Sequence, residues 1–292
     1  MALVADRTLS KCILIFVKNF GKEIILLAGE FGMEKITSRN NDLIKNTKKL
    51  FTSRKKRTEE NKFVLEGARL CFDVLNSLYS VDSFFVTEKM LQKYPNQCSD
   101  MEKMANRSYL ISEDVAKKLG ETENTQGVFA VCNLMNSNAK ITENKKYIAL
   151  DNLQDPSNLG AIIRTGEALG VDGAICYNCC DVYNPKSLRA SMGSILRLPI
   201  IISEDLVADI EDAKANGFSV YSTVPDSSAN DITKVDFSKS SICIIGNEGN
   251  GISEEVKKAS TELVTINMLG RAESLNASMA GAIAMWEMLR GD

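Results

Sequence analysis

Ser241 to Ser253 reads SICIIGNEGNGIS, and the order of residue types in this stretch decides the fold. Ile242, Cys243, Ile244 and Ile245 predict a short buried strand. Gly246, Gly249 and Gly251 follow as a turn, and Ser253 brings a hydroxyl suited to beginning a helix. A strand that runs through glycines into a helix is an α/β element, and such folds hold ligands where backbone N–H groups are exposed at the carboxyl ends of their strands. A cofactor site is therefore expected at this turn. What the turn lacks limits the ligand. Gly246 and Gly251 have the spacing of a phosphate-binding loop, but Ile252 stands where that loop needs a lysine. The glycines do not follow the G-x-G-x-x-G order either, and Glu248 sits where it would repel a pyrophosphate. The expected ligand is not polyanionic.

Outward from this stretch, apolar runs alternate with helical patterns. Upstream, strands are expected at Tyr147 to Leu150, Gly173 to Tyr177, Pro199 to Ile202 and Phe218 to Thr223. Between them come helices at Asn158 to Leu169, Ser187 to Leu196 and Glu204 to Asn216, the first stopped by Gly170 and the last by Gly217. Downstream follow a helix from Ser253, a strand at Leu263 to Ile266 and a closing helix from about Ser274 to Arg290. The pattern predicts a mostly parallel sheet with helices on both faces. In the closing helix Leu275, Met279, Ala282, Trp286 and Leu289 recur at helical spacing, as a core or dimer face does. Its amino end, Glu273 to Asn276, offers polar side chains and free N–H groups to a ligand.

Residues 36 to 133 predict a smaller α/β domain. Its expected elements are a helix from Asp42 to Lys56, a strand at Phe63 to Leu65, a helix from Gly67 to Tyr79, a strand at Ser83 to Val86, helices at Glu88 to Lys93 and Ser112 to Leu119, and a strand at Gly127 to Leu134. Residues 135 to 146 are polar and unpatterned, so they are expected to link the domain to a second one spanning 147 to 292. Between Asn41 and Lys62 basic residues outnumber acids. Lys45, Arg54, Lys55 and Arg57 are the expected contacts for a polyanion. Residues 1 to 32 do not pattern as part of a domain. Met33 opens a segment that resembles a natural protein start, and Ala28-Gly29-Glu30 suits codons of a ribosome-binding sequence, so translation is expected to begin at Met33.

Composition sets the outer bounds. The 292 residues suffice for two domains, and 44% hydrophobic content suffices for a core in each. The apolar runs near the amino end, Cys12 to Val17 and Ile24 to Ala28, are too short for a membrane span and are interrupted by Lys18, Lys22 and Glu23. A cytoplasmic protein is expected. Its eight cysteines, several inside apolar strands, suit reduced thiols better than a disulfide framework. Cys176, Cys179 and Cys180 form the one cluster, but a chain without histidine or a second C-x-x-C gives zinc no complete ligand set, and no metal is expected. The missing histidine also excludes serine–histidine triads and histidine-based proton transfer. A net charge of −3 argues against a uniformly basic nucleic-acid binder.

Three separated segments resemble one family. Asp155-Pro156-Ser157-Asn158-Leu159-Gly160 with Arg164, then Ile245-Gly246-Asn247-Glu248-Gly249 with Gly251, then Ile266 with Ser274-Leu275-Asn276, are similar in order and spacing to the three motifs of SpoU-type, TrmH-like RNA ribose 2'-O-methyltransferases of the SPOUT class. The amino-terminal segment (ITSRNND, then FVLEGAR) resembles the RNA substrate-binding domain of such enzymes, a fold similar to small ribosomal proteins. The resemblance covers nearly everything after Met33. It implies a ribosomal-protein-like α/β domain followed by a trefoil-knotted, mostly parallel sheet, a homodimer, and S-adenosylmethionine as cofactor. By motif, Gly246, Ile266 and Leu275 would hold the cofactor, with Thr223 beside them. Asn158, Arg164, Glu248, Ser274 and Asn276 would form the polar site, Arg164 binding RNA phosphate and Glu248 orienting Arg164 or moving a proton. Where the family usually has proline after the position of Ile266, this chain has Asn267, which leaves the rigidity of that loop to another device. The implied reaction is methyl transfer to a ribose hydroxyl, with ribosomal RNA favoured over transfer RNA. It needs alignment and proton removal but no metal. The alternatives are a transfer-RNA methyltransferase and a non-catalytic RNA-binding protein of the same fold.

Overall fold

In the computed structural model, residues 33–134 and 139–290 are described; the expectation of a start at Met33 concerns upstream residues that lie outside them. The first sheet has five strands: β1 (Glu34–Ile36), β2 (Lys62–Glu66), β3 (Val81–Thr87), β4 (Arg107–Ile111) and β5 (Val128–Asn133), in the order β1-β4-β3-β5-β2. It is mixed, because β5 runs antiparallel to both β2 and β3. Its helices are α1 (Asp42–Thr52), α2 (Arg54–Glu60), α3 (Ala68–Asp73), α4 (Glu88–Lys93), α5 (Pro95–Met104) and α6 (Glu113–Leu119). Alternate residues face opposite layers. Val64, Phe85, Phe129 and Val131 pack with residues of α1 and α6, whereas Phe63, Leu65, Phe84 and Val86 pack on the other side with α3 and α5.

The second sheet contains β6 (Lys146–Asp151), β7 (Gly173–Tyr177), β8 (Ile200–Ser203), β9 (Ser219–Thr223), β10 (Asn230–Asp231), β11 (Ser241–Ile245) and β12 (Glu262–Thr265), in the order β10-β12-β9-β11-β6-β7-β8. All of these pairings are parallel. Its helices are α7 (Pro156–Leu169), α8 (Pro185–Ser191), α9 (Leu206–Ala215), α10 (Glu254–Ala259) and α11 (Ala277–Leu289). Both faces are covered, which is why the strands read as continuous apolar runs. On β11, Ile242 and Ile244 pack with Leu206 and Ile210 of α9 and Val256 of α10, while Cys243 and Ile245 pack toward Ile162 of α7 and Met285 of α11.

The two sheets share one hydrophobic layer, since Phe63 and Cys132 belong to the same cluster as Leu159 and Met285. Polar ties cross the seam. The Arg57 guanidinium meets the Asp181 carboxylate at 2.6 Å, Arg197 reaches both Asp73 (3.2 Å) and Glu167 (2.9 Å), and the Tyr79 and Tyr183 hydroxyls lie 3.0 Å apart.

Several expected elements are modified. The helix over Asp42 to Lys56 breaks at Ser53, whose extended backbone ends α1 and whose Oγ accepts the Lys56 N–H to start α2. Gly67 to Tyr79 is only helical from Ala68, and it tightens to a 3-10 turn at Val74–Asn76. Ser187 to Leu196 splits into α8 and a 3-10 turn, because Met192 and Gly193 both adopt positive φ. The closing helix starts at Ala277 rather than Ser274: the Asn276 side chain caps it, so Leu275 lies before the helix and not on its stripe. β1, β4 and α5 were not expected. Pro95 at the first position of α5 is a signal that marks such a helix in sequence.

Candidate functional site

A cavity opens at the carboxyl ends of β9, β11 and β12, beside the segment that enters α11. Thr223, Gly246, Ile266 and Leu275 all line it, together with Val224, Ile245, Glu248, Met268, Ser274 and Ala280. Local chemistry explains why these strand ends converge. The Thr223 hydroxyl donates to the Ile244 carbonyl at 2.7 Å, joining the ends of β9 and β11. At Gly246 a Cβ would run into the backbone of Gly251 and Ile252, so only glycine permits the chain to double back there. The loop then closes on itself: Asn247 and Gly251 exchange two main-chain hydrogen bonds of 3.0 Å, and Asn247 Oδ1 accepts the N–H groups of Gly249 and Asn250 at 2.9 Å. Behind it, the buried Asp151 carboxylate accepts the Ser253 N–H (2.8 Å) and hydroxyl (2.9 Å), fixing the start of α10.

The polar residues form a directed chain. The Ser278 hydroxyl donates to Asn276 Oδ1 at 2.6 Å, Asn276 Nδ2 donates to Asn158 Oδ1 at 3.1 Å, and Asn158 Nδ2 donates to Glu248 Oε1 at 3.1 Å. Glu248 also accepts the main-chain N–H groups of Asp155 (2.9 Å) and Gln154 (3.1 Å), so the turn after β11 is locked to the start of α7. Partial burial pushes the Glu248 carboxyl up. The Asn158 amide and the two N–H donors outweigh that push and hold it below the usual glutamate range. Glu248 is thus an ionised acceptor that orients Asn158, which in turn orients Asn276.

Ser274 is exposed and lines the cavity wall. Arg164 stands on the exposed side of α7, outside the chain that joins Asn158, Glu248 and Asn276. Asn267 donates to Asp231 Oδ2 at 2.6 Å, tying the loop after β12 to β10 where the motif usually has a proline. Gln154, Asp155 and Ser278 complete the site but were not expected to act in it. Asp155 and Asn276 carry the sequence signal of helix caps, whereas nothing in the sequence reveals that the Gln154 N–H meets Glu248.

The cavity's donor set fits S-adenosylmethionine. Its walls are largely apolar, Glu248 supplies a carboxylate, and among the described lining residues no lysine or arginine is present. A cationic sulfonium with a nucleoside suits such a wall, and a polyphosphate does not.

The basic run divides. Lys45, Arg54 and Lys55 are exposed on α1 and α2, with acidic neighbours only at the surface: Lys45 pairs with Asp42 and Lys55 approaches Glu59 at 3.8 Å. Arg57 is placed apart from them. It is 4% exposed, and its guanidinium donates to Asp181 and to the carbonyls of Leu50 and Phe51. Its direction on α2 is inward because the seam gives it a carboxylate to meet, and it is not available to a phosphate.

Comparison with known proteins agrees with this geometry. Residues 145–286 match the SpoU rRNA Methylase family, and residues 41–130 match the MRM3-like substrate binding domain. The chain is 34% identical over 260 residues to the 23S rRNA (guanosine(2553)-2'-O)-methyltransferase RlmP of Bacillus subtilis, covering 89% of this chain and all (100%) of that protein. An AdoMet-bound rRNA methyltransferase from Sinorhizobium meliloti superposes with a TM-score of 0.79 at 28% identity, over 89% of this chain and 98% of that one. The SpoU methyltransferase AviRb from Streptomyces viridochromogenes, in complex with AdoMet, gives 0.77 at 26% identity over 86% and 98%.

Proposed function

The chain belongs to the SpoU rRNA methylase family, and from that premise we propose that it transfers a methyl group to the ribose 2'-hydroxyl of a nucleotide in 23S-type ribosomal RNA. It is an RNA 2'-O-methyltransferase that uses S-adenosylmethionine. The 23S assignment is supported by the substrate named for the Bacillus subtilis relative and by the likeness of residues 41–130 to a substrate-binding domain. The observation that carries the reading is the convergence of the second and third motifs on one cavity, with the first tied to them by the hydrogen-bonded chain that joins Asn158, Glu248 and Asn276.

S-adenosylmethionine, when bound, supplies a methyl group made electrophilic by its sulfonium. Thr223, Gly246, Ile266 and Leu275 hold it against the strand ends, with Ser274 at the rim. Asn158 and Asn276, fixed by Glu248, set the polar edge against which the ribose is aligned, and alignment is a large part of what such a displacement requires. Arg164 binds an RNA phosphate beside the reacting ribose; a guanidinium keeps its proton at physiological pH and so positions rather than abstracts.

The same reading includes a homodimer, a trefoil knot in residues 147–292, an RNA-binding domain at 33–134, a linker at 135–146 and work in the cytoplasm on ribosomal RNA. The dimer is supported by α11, where Met279 (58% exposed), Ile283 (37%) and Trp286 (58%) form one apolar face. α7, which carries Arg164, packs against α11, so a second copy seated on that face would complete the site. Nucleoside mapping of ribosomal RNA from cells with and without the gene tests the function. The expected result is one ribose methylation in the large-subunit RNA that disappears with the gene; a full set of ribose methyls in its absence contradicts the proposal.

A further inference from the structure

Ser278, the second residue of α11, does more at Asn276 than a helix start requires. An N-cap side chain ordinarily accepts a main-chain N–H, and Asn276 Oδ1 accepts that of Ser278 at 2.9 Å. The buried Ser278 hydroxyl then brings a second donor to the same oxygen at 2.6 Å, shorter than both 3.1 Å contacts that follow it toward Glu248.

The direction of these bonds follows from what each group can do. A main-chain N–H only donates, so the Asn276 atom it meets is the amide oxygen. With two donors on it, both lone pairs of that oxygen are taken, and Asn276 has only N–H left to offer. One Nδ2 hydrogen goes to Asn158 Oδ1. The other meets no acceptor among the described residues, and Asn276 is exposed. The far end of the chain sets the same direction independently: the ionised Glu248 carboxylate only accepts, so Asn158 turns its Nδ2 to Glu248 and its Oδ1 to Asn276. Leu275 and Ala277, on either side of Asn276, line the cofactor cavity together with Glu248. The remaining N–H of Asn276 therefore stands at the border of that cavity.

We infer that Ser278 is a positioning residue for methyl transfer: by occupying the second lone pair of Asn276 Oδ1, its hydroxyl keeps the amide turned so that the remaining N–H meets an acceptor oxygen of the target ribose. The same contact denies Oδ1 to other donors. Without it, a ribose hydroxyl or a water can donate to Oδ1, and the nucleotide gains a second pose in which its 2'-oxygen is not in line with the methyl group. The inference rests on the RNA methyltransferase reading and deepens it.

The test measures single-turnover methyl transfer by the full chain on a 23S rRNA fragment, with cofactor affinity, RNA affinity and unfolding midpoint taken on the same variants. Ser278→Ala keeps the main-chain N–H on Asn276. It should slow transfer about fivefold, the scale of one neutral hydrogen bond, and leave both affinities and the midpoint unchanged. Ser278→Thr, which retains the hydroxyl, should restore the rate. In an Asn276→Ala background, Ser278→Ala should add no further loss, because the hydroxyl acts through that amide. An unchanged rate in Ser278→Ala, or an equal loss in both backgrounds, overturns the inference. A slower rate accompanied by weaker S-adenosylmethionine binding gives the N–H to the cofactor and overturns it too, and one accompanied by a lowered midpoint reduces Ser278 to a helix cap. No methyl transfer by the unaltered chain overturns the enzyme reading itself.

Discussion

Beside the parallel sheet the functional side chains hold one another, whereas in the first domain the expected RNA contacts other than Arg57 stand exposed on α1 and α2, with at most surface ion pairs. Asn158, Glu248 and Asn276 are linked by bonds of 3.1 Å; Asn158 stands in the first turn of α7, Glu248 in the turn after β11, and Asn276 caps α11. Lys55 is 85% exposed, and its nearest acid is 3.8 Å away. Arg57, two residues further along the same basic run, points the opposite way and serves the seam. The difference shows what each kind of site demands. Aligning a methyl group with a hydroxyl needs fixed geometry, so neighbours constrain every participant. Neutralising phosphates needs only charge within reach, and exposed lysines supply it without being fixed in place.

The comparison can be broken most severely at Arg164. Arg164→Ala should lower methyl transfer by about 10²-fold with little change in S-adenosylmethionine affinity, as measured by labelled methyl incorporation and calorimetry. A loss confined to cofactor binding would move Arg164 into the cavity. Next, Arg57→Leu should destabilise the protein by about 3 kcal/mol, because it leaves the Asp181 carboxylate at the seam without its cation. Urea unfolding measures this, and an unchanged midpoint would return Arg57 to the RNA contacts.

Glu248→Gln keeps the shape of the side chain but removes its charge, and it should reduce transfer about tenfold, consistent with loss of a charge-assisted bond. The wild-type pH dependence carries a matching sign. A carboxyl held below its unfolded value contributes fully above the ordinary glutamate range, about pH 4.3, and that contribution is lost as pH falls through the folded value. Glu248 should therefore leave cofactor affinity flat between about pH 5 and pH 8. A step within that window, absent in Glu248→Gln, would show the carboxyl to be raised instead. The smallest effect belongs to Lys55→Ala, which should leave stability unchanged and reduce the salt slope of RNA binding by about 1. An unchanged slope would make that face of α2 a solvated surface.

Much of the parallel sheet was legible because its signals are local. The apolar run before Gly246 and the stop at Gly170 each constrain their own backbone, and the cofactor candidates Thr223, Gly246, Ile266 and Leu275 meet in one cavity. Less was legible where tertiary contacts decide. The break at Ser53 comes from a serine that can end one helix and cap the next, and β1, of three residues, is too short to show a period. The inward turn of Arg57 depends on Asp181, which lies 124 positions away in sequence. Charge density alone could not separate it from Arg54 and Lys55.

Transfer of labelled methyl from S-adenosylmethionine to unmodified 23S rRNA, followed by mapping of alkali-resistant sugar positions, tests the central claim most directly. The expected result is a single ribose-methyl product that is lost with Arg164→Ala. Label found on a base, or cofactor bound with no methyl reaching RNA even in an assembling ribosomal subunit, would contradict it.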